Sequence, residues 1–383
     1  MTTYDAKVPG VDVATASAVG TTIGVEEEFH LVDPGTAALT TGAGRIMHAQ
    51  NGDDGHAGPE LQRSMIETAT PVCLGMEEVA AAIRAGRRSL LEVADRVGLW
   101  VVAAGTVPDS GHPAGDVFPD PRYERMAEEY RQLVDEQQVC ACQIQVGVPD
   151  REMAIALIRR IRVWLPTLLA LSTGSPYFLG GDTGYASYRT VVLSRWPTSG
   201  PPPMFASAAD YDRTVERLIG SGVISDSGMI YFDVRASARY PTLEIRVADA
   251  CPLVTDVVLI AALARALVVT AAAEEHAGLP PPAVEQVLLK AATWRAARSG
   301  LTGQLVDPLA AREVAAPDLV ARLLSYVRAA LEERGDWLSV KSAATGLLSR
   351  GTSAQRQRQA FRTAREPADV IASVVAETRR DLG

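Results

Sequence analysis

Three adjacent glutamates interrupt an otherwise apolar stretch in Gly24-Val25-Glu26-Glu27-Glu28-Phe29, with Thr22-Ile23 before and His30-Leu31-Val32 after. In an extended strand Glu26 and Glu28 share one face, while Val25, Glu27 and Phe29 share the other. Like charges ~4–7 Å apart repel by about 1 kcal/mol or less in bulk water and by about 2–4 kcal/mol near a protein surface. Solvent, arginines or a divalent cation must offset that. For the triplet alone, a solvated edge strand explains the pattern as well as a cation does. Other acids in apolar surroundings extend it. Glu60 and Glu67 flank Leu61 to Ile66, and Glu67 leads into Thr68-Ala69-Thr70-Pro71-Val72. Glu244 stands in Pro241-Thr242-Leu243-Glu244-Ile245-Arg246-Val247, where a charge is costly unless paired. Glu244 and Arg246 alternate onto one face, and Asp249 follows at the strand end. Many oxygen donors beside few imidazoles describe a hard-cation site, magnesium before zinc.

Phosphate chemistry here would have to work without lysine. Only Lys7, Lys290 and Lys341 occur, no GxxxxGK[ST] loop is present, and no GxGxxG follows a strand. A bound nucleotide would be neutralised by arginine and magnesium. Three arginines beside the acidic strands or the glycine-rich loop are candidates: Arg189 in Asp182-Thr183-Gly184-Tyr185-Ala186-Ser187-Tyr188-Arg189, Arg235 in Phe232-Asp233-Val234-Arg235, and Arg246. For any one of them a structural salt bridge is a readier explanation than a ligand contact, a margin that their placement beside the loop and the acidic strands narrows.

The elements that must position these residues alternate between strand and helix. Thr22 to Val32 reads as a strand closed by the turn Asp33-Pro34-Gly35. Met76 to Val97 has helical spacing, and Leu99 to Ala104 is a short apolar strand. Val139 to Val148 is another strand. Asp150 then caps a helix towards Leu171, broken near Pro166. Gly174 to Gly200 reads as a structured loop, Asp210 opens a helix, and Met229 to Val247 forms two strands joined through Ala238 to Pro241. Beyond about residue 255 the pattern is nearly all helical. The fold class is α+β, with antiparallel strands in the first 250 residues. Residues 1–20 read as a disordered tail without the apolar core of a signal peptide, and 21–383 as one catalytic domain.

Composition excludes several partners. The 383 residues carry 37 basic and 46 acidic side chains, a formal charge of −9. Nucleic acid and anionic membrane are poor partners for such a chain. His30, His48, His56, His112 and His276 are too scattered for a zincin pair. Cys73, Cys140, Cys142 and Cys251 form no CxxC pair. The longest apolar run, Val257 to Ala273, contains Arg265 and reads as a buried helix. A soluble cytoplasmic protein is expected.

Taken together, Gly24-Val25-Glu26-Glu27-Glu28-Phe29, Glu67-Thr68-Ala69-Thr70-Pro71, the segment Gly181 to Arg189, Trp196-Pro197-Thr198-Ser199-Gly200-Pro201, Pro241 to Asp249 and Arg350-Gly351-Thr352 resemble the bacterial carboxylate-amine ligases called glutamate–cysteine ligase type 2. The motifs run in order from about Gly24 to about Arg356. The resemblance implies a glutamine-synthetase-like antiparallel sheet curved into a funnel, with helices outside. It implies ATP and Mg2+ as cofactors, and activation of a carboxylate, by default the γ-carboxyl of L-glutamate, as an acyl phosphate. An amine, by default L-cysteine, then displaces phosphate to give a γ-glutamyl amide. Carried over position by position, Glu26, Glu28, Glu67 and Glu244 are implied metal ligands, with Glu60 a further candidate. Arg246 resembles a phosphate-contacting arginine, Arg189 a substrate or phosphate contact, and Tyr185 lies where the family holds its amino acid. Arg235 joins the substrate-binding candidates.

One departure concerns the acceptor. Many family members carry histidine where Cys140-Ala141-Cys142-Gln143-Ile144-Gln145-Val146-Gly147 has Gln143 or Gln145. Glutamine keeps a donor and an acceptor but carries no charge and transfers no proton. The amine is therefore open, and the loops Ser172–Asp182 and Asp109–Arg122 are expected to shape its pocket. The resemblance leaves room for a homodimer. Two other readings stand beside the ligase: a magnesium-dependent phosphohydrolase using the same carboxylates, and a binding protein that keeps the fold without turnover.

Overall fold

The computed structural model describes residues 18–50, 57–108 and 116–382. The expected tail lies outside the described residues as far as residue 17, as does the segment 109–115 of the Asp109–Arg122 loop. The acidic triplet sits in β1 (Ile23–Val32), followed by α1 (Ala43–Ala49), β2 (Ala57–Pro59), β3 (Met65–Ala69), α2 (Met76–Arg96) and β4 (Trp100–Val102). Then come α3 (Pro121–Tyr130), α4 (Gln132–Asp135), β5 (Ala141–Gly147), α5 (Arg151–Ile161) and α6 (Leu165–Ser172). Asp150 caps α5 by accepting the Met153 N–H at 2.6 Å. The chain breaks before Pro166, which sits in the first turn of α6, where a missing N–H costs nothing.

The stretch read as a loop from Gly174 holds a short ladder, β6 (Tyr177–Phe178) with β7 (Gly181–Asp182), and a helix, α7 (Tyr188–Leu193). Ser187 starts that helix, its hydroxyl accepting the Thr190 N–H. Next are α8 (Ala208–Gly220), capped by Ser207 in place of the expected Asp210, then β8 (Val234–Ala236) and β9 (Thr242–Asp249). The C-terminal part is helical from α9 (Val254–His276) and α10 (Gln286–Ser299), except for a hairpin of β10 (Gln304–Asp307) and β11 (Arg312–Ala315) that periodicity did not reveal. It ends in α11 (Ala316–Tyr326), α12 (Arg328–Glu333), α13 (Trp337–Arg350), α14 (Ser353–Ala364) and α15 (Pro367–Thr378).

One sheet organises these elements. Its order is β2-β3-β1-β5-β9-β8, with β4 on the far end of β1, and every pairing is antiparallel. One face is apolar, with Val25, Phe29, Ile144 and Ile245 buried among α2, α5 and α9. Helix α9 is long and apolar enough to cross a membrane, yet 89% of its most apolar window is buried inside the protein. It is the core helix, apolar on all sides because α2, α5, α6, α12 and α13 surround it. The other face of the sheet is polar.

Candidate active site

Strand alternation and register put the charged residues side by side. Glu28 pairs across the ladder with Glu67, and Glu26 with Gln143. Gln145 pairs with Glu244, and Glu244 with Arg235. Directly paired residues share a face, as do residues two apart, so Glu26, Glu28, Glu67, Gln143, Gln145, Glu244, Arg246 and Arg235 all lie on one side. Glu60, just past β2, joins them. All nine line a cavity of about 1360 Å³.

Glu27 points the other way and explains itself differently. Buried Arg87 of α2 donates to its two oxygens at 2.6 and 3.1 Å and also to the carbonyls of Cys251 and Pro252. The triplet therefore splits two to one between the cavity and the core.

On the cavity side Arg246 and Arg239 offset the acids only in part. Burial, then Glu244 and Glu67, push the Glu26 carboxyl up to about 7. Burial, then the neighbours Glu28 and Glu67, push Glu60 well above the usual carboxylate range, and burial, with Glu28, raises Glu67 as well. Gln143 Nε2 donates to Glu28 at 2.6 Å, as does the Ala141 N–H at 2.7 Å, while Gln145 donates to Glu26 at 3.1 Å. Glu244 is the exception. Burial raises its pKa, but Arg246 and Arg235 outweigh burial and hold it at about 2.

Among the described residues no three carboxylate, histidine or cysteine side chains converge closely enough to hold a metal ion as they stand. The donor chemistry nonetheless fits a hard cation. Every candidate is an oxygen ligand, and Glu60 and Glu67 are both raised by burial and by Glu28, a crowding of acids that a cation would relieve.

Residues 22–377 match the family described as Glutamate-cysteine ligase family 2 (GCS2). The chain belongs to that family. It is 48% identical over 93% of its length to a Frankia casuarinae protein provisionally named glutamate–cysteine ligase 2-2, and spans only 41% of that relative. A Mycolicibacterium smegmatis protein with the same provisional name is 45% identical, over 93% of this chain and 90% of that one. The chain thus spans about two-fifths of some curated relatives and nearly all of others. Among solved structures, glutamate–cysteine ligase from Francisella tularensis in complex with AMP has a TM-score of 0.67 at 11% identity, covering 95% of this chain and 90% of that one. A bifunctional glutathione synthetase from Pasteurella multocida also has a TM-score of 0.67, at 16% identity over 97% of this chain and 53% of its own. The α+β sheet with outer helices is the fold these share.

Within this GCS2 member, three expected ligand contacts are placed otherwise. Arg189 lines the cavity, but its terminal nitrogens donate to the Val247 carbonyl at 3.3 Å and the Arg246 carbonyl at 3.1 Å, and it stands 3.7 Å from buried Asp249. It braces β9 through both terminal nitrogens. Arg235 donates to both Glu244 oxygens at 3.0 Å and to the carbonyls of Gly228 and Ile230 at 2.8 Å, so it fixes Glu244. Tyr185 is outside the cavity wall. Its hydroxyl accepts from Trp294 Nε1 at 3.2 Å, and Trp294 is the ring that faces the cavity.

Arg246 differs from these. One terminal nitrogen reaches Gln143 and Glu244, and the rest of the guanidinium fork remains for an anion. Sequence reasoning gave Asp233 no role and counted Asp249 only among the acids at the strand end. Asp249 accepts from the Gly174 N–H and from the Ser175 and Ser187 hydroxyls, tying the β6–α7 region to the sheet. Asp233 could have been found by counting two residues back from Arg235 on the same strand face.

Proposed function

We propose that this GCS2 member is an ATP- and magnesium-dependent carboxylate-amine ligase. The observation that carries this reading is the single sheet face on which Glu26, Glu28, Glu60 and Glu67 stand beside Glu244 and Arg246 in one large cavity. A polyanion with bound magnesium suits that face, and the GCS2 match supports ATP as the polyanion. In this reading a donor carboxylate, by default the γ-carboxyl of L-glutamate, attacks the terminal phosphorus of ATP, and an amine, by default L-cysteine, displaces phosphate from the acyl phosphate. Glu26, Glu28, Glu60, Glu67 and Glu244 would hold magnesium, which would supply charge neutralisation on the transferring phosphate.

The protein's own groups divide the remaining work. Arg246 offers its free N–H donors to the transferring phosphoryl oxygens. Arg235 and Arg189 hold Glu244 and the β9 backbone, so Arg246 is aimed from a fixed strand. Gln143, bonded to both Glu28 and Arg246, sets the spacing between the acidic row and that arginine. Trp294 and Lys290 of α10 line the cavity wall and are available to shape the organic substrates.

A coupled assay of ADP release at millimolar magnesium, over a panel of acids and amines with mass detection of product, tests the proposal. ADP formation dependent on one acid–amine pair is expected. No ADP with any pair would refute it, and phosphate release indifferent to amine would favour a phosphohydrolase.

A further inference from the structure

Asp233 lies one residue before β8 and directly across from Arg246, whose N–H donates to the Asp233 carbonyl at 2.9 Å. Its side chain faces the same way as Arg235 and forms part of the cavity wall. No positive group hydrogen-bonds or ion-pairs with it at close range; Arg189 acts on it from farther off. Arg246 turns towards Gln143 and Glu244, and Arg189 is held on the carbonyls of residues 246 and 247. Asp233 Oδ2 is buried without a hydrogen-bond partner. An unpartnered buried polar atom costs about 1–3 kcal/mol, so this carboxylate is left short of a donor. Burial pushes the Asp233 carboxyl up to about 7 against the pull of Arg189, so it exchanges a proton near neutrality.

The charge count selects the ligand. A divalent cation takes several oxygen ligands, whereas Asp233 offers one carboxylate and, among the described residues, belongs to no group of three that could hold a metal ion. A single organic ammonium matches it. We propose that Asp233 receives the ammonium group of the acceptor amine and takes one of its protons, an inference that rests on the ligase reading above. The freed lone pair forms the C–N bond at the acyl-phosphate carbonyl, the C–O bond to phosphate breaks, and phosphate leaves with that electron pair. The second proton lost by nitrogen goes to the departing phosphate, and Asp233 returns its own proton to water. This gives the site a way to deprotonate the amine although Gln143 and Gln145 have no transferable proton.

Hydroxylamine separates this role from a structural one, because it is largely uncharged at pH 7 and attacks acyl phosphates without prior deprotonation. Wild-type and Asp233→Asn proteins are supplied with ATP, magnesium, L-glutamate and either L-cysteine or hydroxylamine, or with the acid and amine that replace them in the panel assay. The ratio of amide to hydroxamate is expected to fall about a hundredfold in D233N. An unchanged ratio, whether both products persist or both decline together, overturns the proposal. If D233N does not fold, Asp233→Glu, which keeps the charge and moves it by one methylene, is read by the same ratio and must favour hydroxamate. Wild-type protein yielding neither product would remove the ligase reading and this role with it.

Discussion

Replacing Arg87 with methionine tests what holds the acidic strand in place. Arg87 and Glu27 are 1% and 4% exposed, so neither charge has water to fall back on. The guanidinium serves both Glu27 oxygens and the Cys251 and Pro252 carbonyls, joining β1 to the segment that follows β9. Methionine fills similar space but leaves a carboxylate and two carbonyls facing the core. Removing one partner of a buried pair costs about 3–5 kcal/mol, a large share of the ~5–15 kcal/mol that stabilises an ordinary domain. The double variant Arg87→Met with Glu27→Leu removes the stranded charge, and swapping a buried pair for apolar residues is often near neutral. Urea denaturation is the assay, read as a shift in midpoint at unchanged slope. The single variant is expected to lose about 3–5 kcal/mol and the double variant to recover most of it. A loss below about 1 kcal/mol in the single variant, or no recovery in the double, would refute the reasoning.

Two further outcomes follow from the cavity face. Glu244 has its pKa depressed to about 2, so its stabilising effect is present above the ordinary carboxylate range and is lost as pH falls from about 4.5 to 2, roughly 3 kcal/mol in all; thermal melts between pH 5 and 2 should show this slope, and Glu244→Gln should flatten it. Gln143→Leu removes both the donor to Glu28 and the acceptor for Arg246, and hydrogen bonds to charged groups contribute about 1.5–3 kcal/mol; kcat for ADP release is therefore expected to drop roughly ten- to a hundredfold, and an unchanged kcat would show that this bridge plays no part.

Much of the site was legible because strands write their faces into alternation. Glu26 and Glu28 against Glu27, and Glu244 with Arg246, are separated by parity alone, and the structure keeps those assignments. What parity cannot supply is which strands are neighbours, so the meeting of Glu67 with Glu28, or of Gln145 with Glu244, emerged only from the register. Arginines were the hardest residues to read. Their reach lets Arg189 of α7 seek the backbone carbonyls of β9, and sequence holds no mark of that choice. The helix at Tyr188–Leu193 was hidden for a related reason. It begins at Ser187 inside a glycine-rich stretch and is anchored by Asp249, more than sixty residues later. The hairpin of β10 and β11 is too short, at four residues a strand, for period to distinguish it from its helical surroundings.

The two glutamines of β5 have a consequence for the electrical character of the floor. Strands stand about 4.8 Å apart, so an intervening strand keeps the row Glu26–Glu28 about 10 Å from the Arg246 strand. Were β5 to carry charge, or were β1 to adjoin β9 directly, acids and arginines would close into ion pairs and cancel. The neutral amides of Gln143 and Gln145 act as an insulating strip that still transmits alignment, because Gln143 bonds to both rows. The floor is in effect a charged plate divided into a negative and a mixed half, and the amide seam between them keeps both halves from discharging before a substrate arrives.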